Sequence, residues 1–395
     1  MNMERLRNWL AQLPTHVIVI GFMLIWLVPT LGFLVTSFRP VQDANVSGWW
    51  TVLNSVPGEE VFVENCASCH GDAGDAIAAA DLSDPDFISA YRRSIQISAT
   101  FDNDYAGQIH VPEAQRPSDQ ELADILSFLR RRSGVETRPT FTINNYIDAL
   151  VGYRGTTDYE TSCAEGTQPP DLTCDFVSDL SNPRGMWQAF INTLIVTLPA
   201  TLLPLVFGAL AAYAFSWLHF RGRLWIFALM VGLQIVPLQM TLVPISRLYQ
   251  QLGLSGSFLG VWLFHTGFGL PYAIYLMRNF IGALPRDLFE SAYLDGASHW
   301  TAFYRLALPL SMPALASLAI FQFLWVWNDL LVALVFLTGR HPVLTYQINN
   351  LVQSMGGGWH LLTASAFLSM ILPLIVFFAF QRYFVRGLLA GSVKG

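Results

Sequence analysis

Long apolar stretches alternate with shorter polar ones along most of this 395-residue chain. The first stretch, His16 to Phe38, predicts a retained membrane span, because it is longer than a signal-peptide core and lacks a small-residue cleavage site. Five later stretches are also long and apolar enough to cross a bilayer. They are Trp187–Trp217, Leu224–Pro244, Phe258–Phe280, Leu306–Leu337 and Leu361–Tyr383. The pattern therefore predicts six transmembrane helices.

Composition supports an all-α polytopic membrane protein, since 53% of the residues are hydrophobic and only 13% are charged. Most of the acidic residues lie between Pro40 and Met186, so the net charge of -6 belongs to one polar segment. No basic stripe occurs anywhere in the chain. Nucleic acid is therefore not an expected partner, whereas membrane lipid is.

Nine of the arginines outside this polar segment indicate the orientation of the chain. If the six spans alternate, these arginines fall on one side of the membrane, which the positive-inside rule makes cytoplasmic. They are Arg5, Arg7, Arg221, Arg223, Arg278, Arg286, Arg305, Arg382 and Arg386. Both termini are then cytoplasmic, in the inner membrane of a bacterium. Residues 1–40 form the first span, 41–186 a periplasmic segment, and 187–395 a five-helix transmembrane core.

Two of the four cysteines lie in the sequence Cys66-Ala67-Ser68-Cys69-His70. This C-x-x-C-H pattern is typical of covalent haem c attachment, with thioether bonds to Cys66 and Cys69 and with His70 as an iron ligand. Haem attachment takes place outside the cytoplasmic membrane, which agrees with the side deduced from the arginines. A zinc knuckle or a reduced thiol pair is the alternative, but no second ligand pair stands at zinc-like spacing.

The residues around this motif predict a small all-α domain over 57–134 (domain 57–134). One helix runs into the motif with Val61 and Phe62 on one face. A closing helix begins at the N-cap sequence Ser118-Asp119-Gln120-Glu121. Its core-facing positions have helical spacing: Leu122, Ile125, Leu126 and Leu129. The domain resembles class I cytochromes c, and Gly58 and Phe62 stand where that family makes its first-helix contacts.

The resemblance to class I cytochromes c fails at the sixth iron ligand. That family usually supplies a methionine shortly before the closing helix, but no methionine occurs between Met23 and Met186. His110 stands at the corresponding place, and imidazole is a competent iron ligand. A five-coordinate iron is the alternative.

Cys163 and Cys174 lie in a Gly-, Pro- and Asp-rich part of the same segment. An oxidising compartment favours a disulfide that closes a small loop, with a structural role. Two free thiols are the less expected state.

A second patterned segment, 280–309 (loop 280–309), follows the fourth predicted span. It contains LPRDLFESAYLDGASHWTAFYRLALPL. Pro285 suits the first turn of a helix, and Gly296 suits the turn that ends it. A second amphipathic helix then leads to Leu308 and Pro309, where Pro309 is expected to start the next span. A plain solvated connection is the alternative to a functional helix-turn-helix.

Loop 280–309 resembles the coupling loop of ABC importer permeases, whose pattern is E-A-A, three residues, G, nine residues, I-x-L-P. The matching positions are Glu290-Ser291-Ala292, Gly296 and Leu306-Ala307-Leu308-Pro309. The runs FQFLWVWNDLLVALVFL and QRYFVRGLLAGSVKG are similar to permeases of alpha-glucoside importers in the maltose-type branch. This resemblance implies the ABC permease fold with six spans and a transported carbohydrate.

The resemblance also implies partners. They are a second permease subunit in a heterodimer, a dimer of cytoplasmic ATP-binding subunits, and a periplasmic sugar-binding protein. The chain has no G-x-x-x-x-G-K-[ST] phosphate loop, so ATP hydrolysis is expected on a separate chain, and this chain is not itself an enzyme.

Polar and aromatic residues in the fifth span are candidates for a sugar pathway: Gln322, Trp325, Asn328 and Asp329. Asn328 and Asp329 could equally mark the outer end of the helix and meet headgroups or the second permease subunit. For His265 and Tyr272 in the fourth span, packing and interhelical hydrogen bonds are favoured over substrate contact.

The residues together favour a permease subunit of an ATP-driven carbohydrate importer that carries a haem domain in its first external loop. A membrane-anchored electron-transfer cytochrome c is the alternative, although an anchor needs only one span and no coupling loop. A third possibility is that domain 57–134 is a docking module that holds haem. The sequence identifies neither the sugar nor the role of the haem.

Overall fold

The computed structural model describes residues 3–44, 48–52, 57–71, 82, 84, 88, 117–132, 141–155, 158–337, 339–354 and 358–390. Throughout these ranges the regular elements are helices, and no strand occurs. The chain forms two compact units. One comprises Met1–Cys174 with Leu351–Phe367, and the other comprises Asp175–Asn350 with Leu368–Gly395.

The first unit begins with a long helix, α1 (Met3–Ser37). Its part from Pro14 to Ser37 is long and apolar enough to span a membrane. Only 6% of the most apolar 18 residues of this part are buried. A short helix α2 (Val41–Ala44) and a 3₁₀ turn (Trp49–Val52) follow. The Trp49 indole lies against Gly32 of α1, where a Cβ atom would overlap it. The chain therefore folds back onto α1 before domain 57–134 begins.

The described part of domain 57–134 contains three helices: α3 (Pro57–Asn65), α4 (Ala67–His70) and α5 (Asp119–Arg132). The predicted N-cap of the closing helix is confirmed, because the Glu121 N–H donates to Ser118 Oγ and the Ser118 N–H donates to Glu121 Oε2. The Ser118 N–H and hydroxyl both donate to Glu121 Oε2 and hold the pKa of the Glu121 carboxyl below its usual range. The predicted core positions of α5 are buried: Leu122, Ile125, Leu126 and Leu129.

Two further helices of this unit are α6 (Asn144–Val151) and α7 (Tyr159–Glu165). The buried Asn145 side chain donates from Nδ2 to the carbonyl oxygens of Ser37 and Arg39, at 2.9 and 2.7 Å. These bonds attach α6 to the end of α1. A disulfide joins Cys163 of α7 to Cys174, as expected of an oxidising compartment.

Asp148 of α6 is a buried carboxyl, and its side chain is only 1% exposed. Burial raises its pKa from 3.8 to about 7, although its Oδ1 accepts a hydrogen bond from the Tyr159 N–H at 2.8 Å. The nearby charges of Asp158 and Glu160 also raise it. Since the folded-state pKa lies above the unfolded one, this group stabilises the fold below about pH 4, and the contribution is lost as the pH rises to about 7.

We expect Asp148→Asn to remove this contribution to pH dependence while keeping an oxygen acceptor for the Tyr159 N–H. The measurement is thermal unfolding of the detergent-solubilised protein at about pH 5 and about pH 8. The fall in midpoint from the lower to the higher pH should be smaller in the variant than in the unaltered protein. An equal fall in both proteins would contradict the assignment.

The second unit holds most of the long helices. They are α8 (Phe176–Asp179), α9 (Met186–Trp217), α10 (Arg223–Leu233), α11 (Leu238–Gln251), α12 (Phe258–Ile281), α13 (Arg286–Leu294), α14 (His299–Ala302), α15 (Leu308–Leu310), α16 (Met312–Trp327) and α17 (Leu331–Phe336). Two helices have residues in both units. They are α18 (Leu344–Ser354) and α19 (Trp359–Ala390).

Five of the six predicted stretches have membrane-spanning capacity by length and composition, two of them only as bent pairs. In the described ranges, three helical segments are long and apolar enough to span: Pro14–Ser37, Met186–Trp217 and Trp359–Arg382. Two bent pairs raise the number to five if each pair is one span. The helix α12 is 24 residues long, about 36 Å, and corresponds to the remaining predicted stretch.

The two bent pairs replace straight helices that the sequence pattern predicted. The helices α10 and α11 meet at 98°, and Pro237, which has no N–H to continue α10, directly precedes α11. The second break falls at Ser311, where the segment ending in α15 meets α16 at 72°. The expectation that Pro309 starts the next span is therefore wrong in detail, because Pro309 lies in α15.

The centre of the second unit is the packing of α9 against α12 and α16. The backbones of α9 and α12 approach closely at Gly208, where a Cβ atom would come within 2.7 Å of the Ala273 Cβ. Gln322 of α16 is buried and donates from Nε2 to the Ala200 carbonyl oxygen of α9 at 3.2 Å. These three helices provide the rigid body on which loop 280–309 is mounted.

Candidate functional site

Loop 280–309 is a helix-turn-helix, as its sequence predicts. The helix α13 begins directly after Pro285, and Gly296 adopts the left-handed conformation with φ of +84° after its end. Ser298 caps α14 through a hydrogen bond from the Thr301 N–H to Ser298 Oγ. One turn of π-helix, Phe303–Ala307, then joins α14 to α15. The loop is therefore a defined structure with a sharp turn at one glycine.

One side of the loop is fixed to the spanning helices by apolar packing. Phe289 of α13 is fully buried, and its ring stacks on the Trp217 indole at the end of α9 with 3.9 Å between centroids. Phe303 is buried, and its ring contacts the Tyr213 ring edge to face, with 5.4 Å between the ring centroids. The cluster continues through small residues: Ala209, Ala212, Ala273, Ala302 and Ala307. This side is therefore packed against α9 and α12.

The opposite side of the loop is exposed. Glu290 and Ser291 are exposed and Ala292 is half-buried. Leu294 is 89% exposed and Trp300 is 66% exposed, although both are large apolar side chains. We call Glu290, Leu294 and Trp300 the exposed face of the loop. Apolar side chains rimmed by polar ones on a helix-turn-helix are typical of a protein-binding surface.

The remaining predicted loop residues lie at its far end. Leu308 is half-buried against the apolar cluster, and Pro309 is exposed. Sequence reasoning missed Leu294 and Trp300, although the amphipathic pattern of the loop offers a signal for both. It also missed Tyr213 and Trp217, which lie about 70 residues before α13 and carry no local signal.

The haem motif lies at the junction of α3 and α4. The His70 N–H donates to the Cys66 carbonyl oxygen at 2.9 Å, so these two residues are one helical turn apart. Cys66 is partly buried and packs on an apolar cluster. The cluster consists of Phe62, Ile88, Ile125, Phe128 and Leu129. An apolar surface packed against Cys66 suits one face of a haem macrocycle.

Two predicted iron-site groups cannot be placed. His110 and the side chain of Cys69 lie outside the described residues. Within the described ranges no three His, Cys, Asp or Glu side chains come together as a metal-binding group.

The polar residues of the fifth predicted span lie where α16 ends. Asn328 follows the last residue of α16 and donates from Nδ2 to the Leu324 carbonyl oxygen at 2.8 Å. Asp329 Oδ2 accepts from the Val332 N–H at the start of α17 and lies 3.8 Å from His265 Nε2. The His265 and Trp325 rings contact edge to face at 5.1 Å. Asn328 and Asp329 therefore follow the end of α16, and Asp329 also approaches His265 within α12.

Comparison with known proteins gives two family matches. The family described as "Binding-protein-dependent transport system inner membrane component" matches residues 204–389, and the cytochrome c family matches residues 55–133. The two matches do not overlap.

Individual relatives extend the first match. The chain is 41% identical to the alpha-glucoside transport system permease protein AglG of Rhizobium meliloti, over 96% of each chain. It is 61% identical to the osmoprotective compounds uptake permease protein GgtD of Synechocystis over 218 residues, which cover 55% of this chain and 73% of the relative. A solved bacterial ABC transporter that imports alginate covers 60% of this chain at 23% identity, with a TM-score of 0.45.

Proposed function

Because the chain belongs to the family of ABC sugar-importer permeases, we propose that it forms one half of a heterodimeric permease in an ATP-driven, binding-protein-dependent importer of alpha-glucosides. The observation that carries the proposal is loop 280–309, fixed on one side to α9 and α12 and exposed on the other. The chain is an integral membrane protein with several apolar helices. We place both termini and this loop on the cytoplasmic face of the bacterial inner membrane.

The exposed face of the loop is the proposed contact with a cytoplasmic ATP-binding subunit. Leu294 and Trp300 offer apolar area, and Glu290 offers a charge. The chain has no phosphate loop of its own, so the ATP must be hydrolysed by a second protein. Closure of the ATP-binding subunits would push the loop, and the buried side would pass the movement to α9 and α12.

Alpha-glucosides are the proposed substrates because the relative that matches along the whole chain is an alpha-glucoside permease by description. Osmoprotective compounds are the second candidate, since the relative with that description is 61% identical over 218 residues. A periplasmic binding protein would deliver either substrate to the external side.

Haem c is the proposed cofactor of domain 57–134. Cys66 and Cys69 would attach it, His70 would bind the iron, and the sixth position would belong to His110 or to no side chain. The cytochrome c family match and the apolar cluster beside Cys66 support this assignment. Haem c supplies a one-electron redox centre when bound, and its potential depends on the axial ligands. The chain contributes the apolar packing and the proximal imidazole.

A membrane-anchored electron-transfer cytochrome is less well supported. An anchor needs one span, whereas this chain has three to five segments of spanning capacity among its described residues. An anchor also has no use for a helix-turn-helix with exposed apolar residues.

Uptake by intact cells tests the proposed function. A strain lacking this chain should lose uptake of radiolabelled alpha-glucosides, and a plasmid-borne copy should restore it. Labelled osmoprotective compounds serve as the second substrate set. If only the uptake of osmoprotective compounds is lost, the chain is a permease for those compounds and not for alpha-glucosides. Unchanged uptake of both sets would contradict the proposal.

A further inference from the structure

Three polar side chains meet where loop 280–309 touches α9. The Tyr213 hydroxyl of α9 lies 3.0 Å from the Tyr293 hydroxyl of α13, which lies 3.1 Å from His299 Nδ1 of α14. The Tyr213 hydroxyl is also 3.5 Å from that Nδ1 atom. Tyr213 is only 5% exposed. One residue of a spanning helix therefore bonds to both helices of the loop.

The three groups can form one continuous chain of hydrogen bonds. With Nδ1 unprotonated, Tyr213 donates to Tyr293, and Tyr293 donates to His299, so each hydroxyl hydrogen has an acceptor. With Nδ1 protonated, the bonds would reverse and the Tyr213 hydroxyl hydrogen would have no acceptor among the three, so the first arrangement is the one that satisfies the chain. The rings also touch edge to face, at 6.5 Å between Tyr213 and His299 and at 5.1 Å between Tyr293 and His299.

The hydrogen bonds of the triad add a directional constraint that the apolar packing of the loop does not provide. Stacked rings such as Trp217 on Phe289 tolerate sliding, because dispersion attraction has no direction. Hydrogen bonds weaken steeply with distance and angle. The triad therefore fixes the position of α13 and α14 along α9.

The other end of α9 is also held by hydrogen bonds. Asn192 Nδ2 donates to the Pro342 carbonyl oxygen, and Thr193 Oγ1 accepts from the Leu344 N–H, both at 2.9 Å. About 20 residues, or about 30 Å of helix, separate Thr193 from Tyr213. One continuous helix, which contains Pro199 and Pro204, therefore connects the loop to the segment 342–344.

We propose that Tyr213, Tyr293 and His299 form a joint that makes α9 follow loop 280–309, and so determines how much transport each ATP hydrolysis drives. The proposal rests on the proposed function of the chain. All three are positioning residues, since they act through the movement of α9 and touch no substrate.

The test uses the whole importer complex in lipid vesicles, with uptake and ATP hydrolysis measured on the same preparation. Tyr213→Phe and Tyr293→Phe keep the rings and remove one hydroxyl each. We expect the ratio of sugar transported to ATP hydrolysed to fall by about two- to tenfold in each variant, as loss of one hydrogen bond implies. The amount of ATP-binding subunit that co-purifies should not change.

Three controls separate a joint from a general structural role. The double variant should lower the ratio by less than the product of the two single effects, because both changes remove the Tyr213–Tyr293 bond. Tyr275→Phe, at a tyrosine on α12 that is 42% exposed, should leave the ratio unchanged. His299→Asn keeps an acceptor near the position of Nδ1 and should retain a higher ratio than His299→Ala.

Two different results would overturn the proposal. An unchanged ratio in an assembled complex of either Tyr→Phe variant overturns the joint and leaves the proposed function intact. A fall in co-purified ATP-binding subunit with the ratio preserved also overturns it, since the triad would then only support folding of the loop. An unaltered chain that binds no ATP-binding subunit overturns the proposed function, and the joint with it.

Discussion

Gly296→Leu is expected to reduce ATP-dependent sugar uptake by about tenfold or more, while membrane insertion and haem content stay unchanged. Gly296 has φ of +84°, a conformation that costs a leucine about 1–2 kcal/mol. A Cβ atom there would meet no atom within 4 Å, so the cost comes from the backbone and not from crowding. The turn relieves that strain by opening, which tilts α13 away from α14 and breaks up the exposed face.

Two controls identify the turn as the cause. Gly296→Asn should retain most uptake, because asparagine adopts the left-handed conformation more readily than leucine. Gly253→Leu creates similar strain outside the loop, at φ of +69° with no atom within 4 Å of a Cβ, and should also retain uptake. Unchanged uptake in Gly296→Leu would mean that loop 280–309 is a plain solvated connection.

Glu290→Lys provides a second approach to the same surface, because it changes charge without touching the backbone. Glu290 is exposed on α13, so the variant should fold normally and bind less ATP-binding subunit. Glu290→Gln removes the charge without reversing it and should have a smaller effect.

The second large effect concerns covalent haem. A denaturing gel stained for peroxidase activity should show haem in the unaltered protein, since thioether bonds survive denaturation, and none in the Cys66→Ala, Cys69→Ala double variant. Cys163→Ser, Cys174→Ser removes the disulfide and should leave the stain intact. An unstained band from a strain with working haem-attachment machinery would show that the chain carries no covalent haem.

Substitution of His110 tests the sixth iron ligand. If His110 binds the iron, the unaltered protein should be low-spin, with a potential below that of methionine-ligated relatives. His110→Met should raise the potential, and His110→Ala should give high-spin iron that binds carbon monoxide. High-spin iron in the unaltered protein, unchanged in His110→Ala, would instead indicate five-coordinate iron.

Local sequence signals predicted local structure well. The capping residues Ser118 and Glu121 form the expected hydrogen bonds, and Gly296 adopts the left-handed turn that its place in the motif suggests. Cys163 and Cys174 are joined. Each of these features depends on residues within about a dozen positions of one another, so the sequence alone contains the information.

The positions where the spanning helices break could not be predicted from the sequence. The stretch Leu306–Leu337 is largely apolar, yet α16 ends at Trp327. The Asp329 carboxylate accepts a hydrogen bond from the Val332 N–H at the start of α17, and the Asp329 carbonyl oxygen accepts one from Thr345 Oγ1. Those bonds depend on the three-dimensional fold. A hydropathy pattern measures only whether a segment suits a bilayer, and it cannot show where the helix bends.

The joint at Tyr213 illustrates the same limit. Tyr293 lies 80 positions after Tyr213 in the chain. Nothing in the sequence around Tyr213 distinguishes this tyrosine from other aromatic residues of a spanning helix. Only the packing of α9 against α13 and α14 brings the three polar atoms within bonding distance.

Transport by a reconstituted complex tests the central claim most directly. The chain would be purified with a second permease subunit and ATP-binding subunits from the same organism, placed in lipid vesicles, and supplied with a periplasmic binding protein and a radiolabelled alpha-glucoside. The account predicts that the ATP-binding subunit co-purifies with this chain and that sugar enters only when ATP is hydrolysed. Co-purification lost in Glu290→Lys would locate the contact on loop 280–309. Sugar entry without ATP, or no bound ATP-binding subunit, would contradict the account.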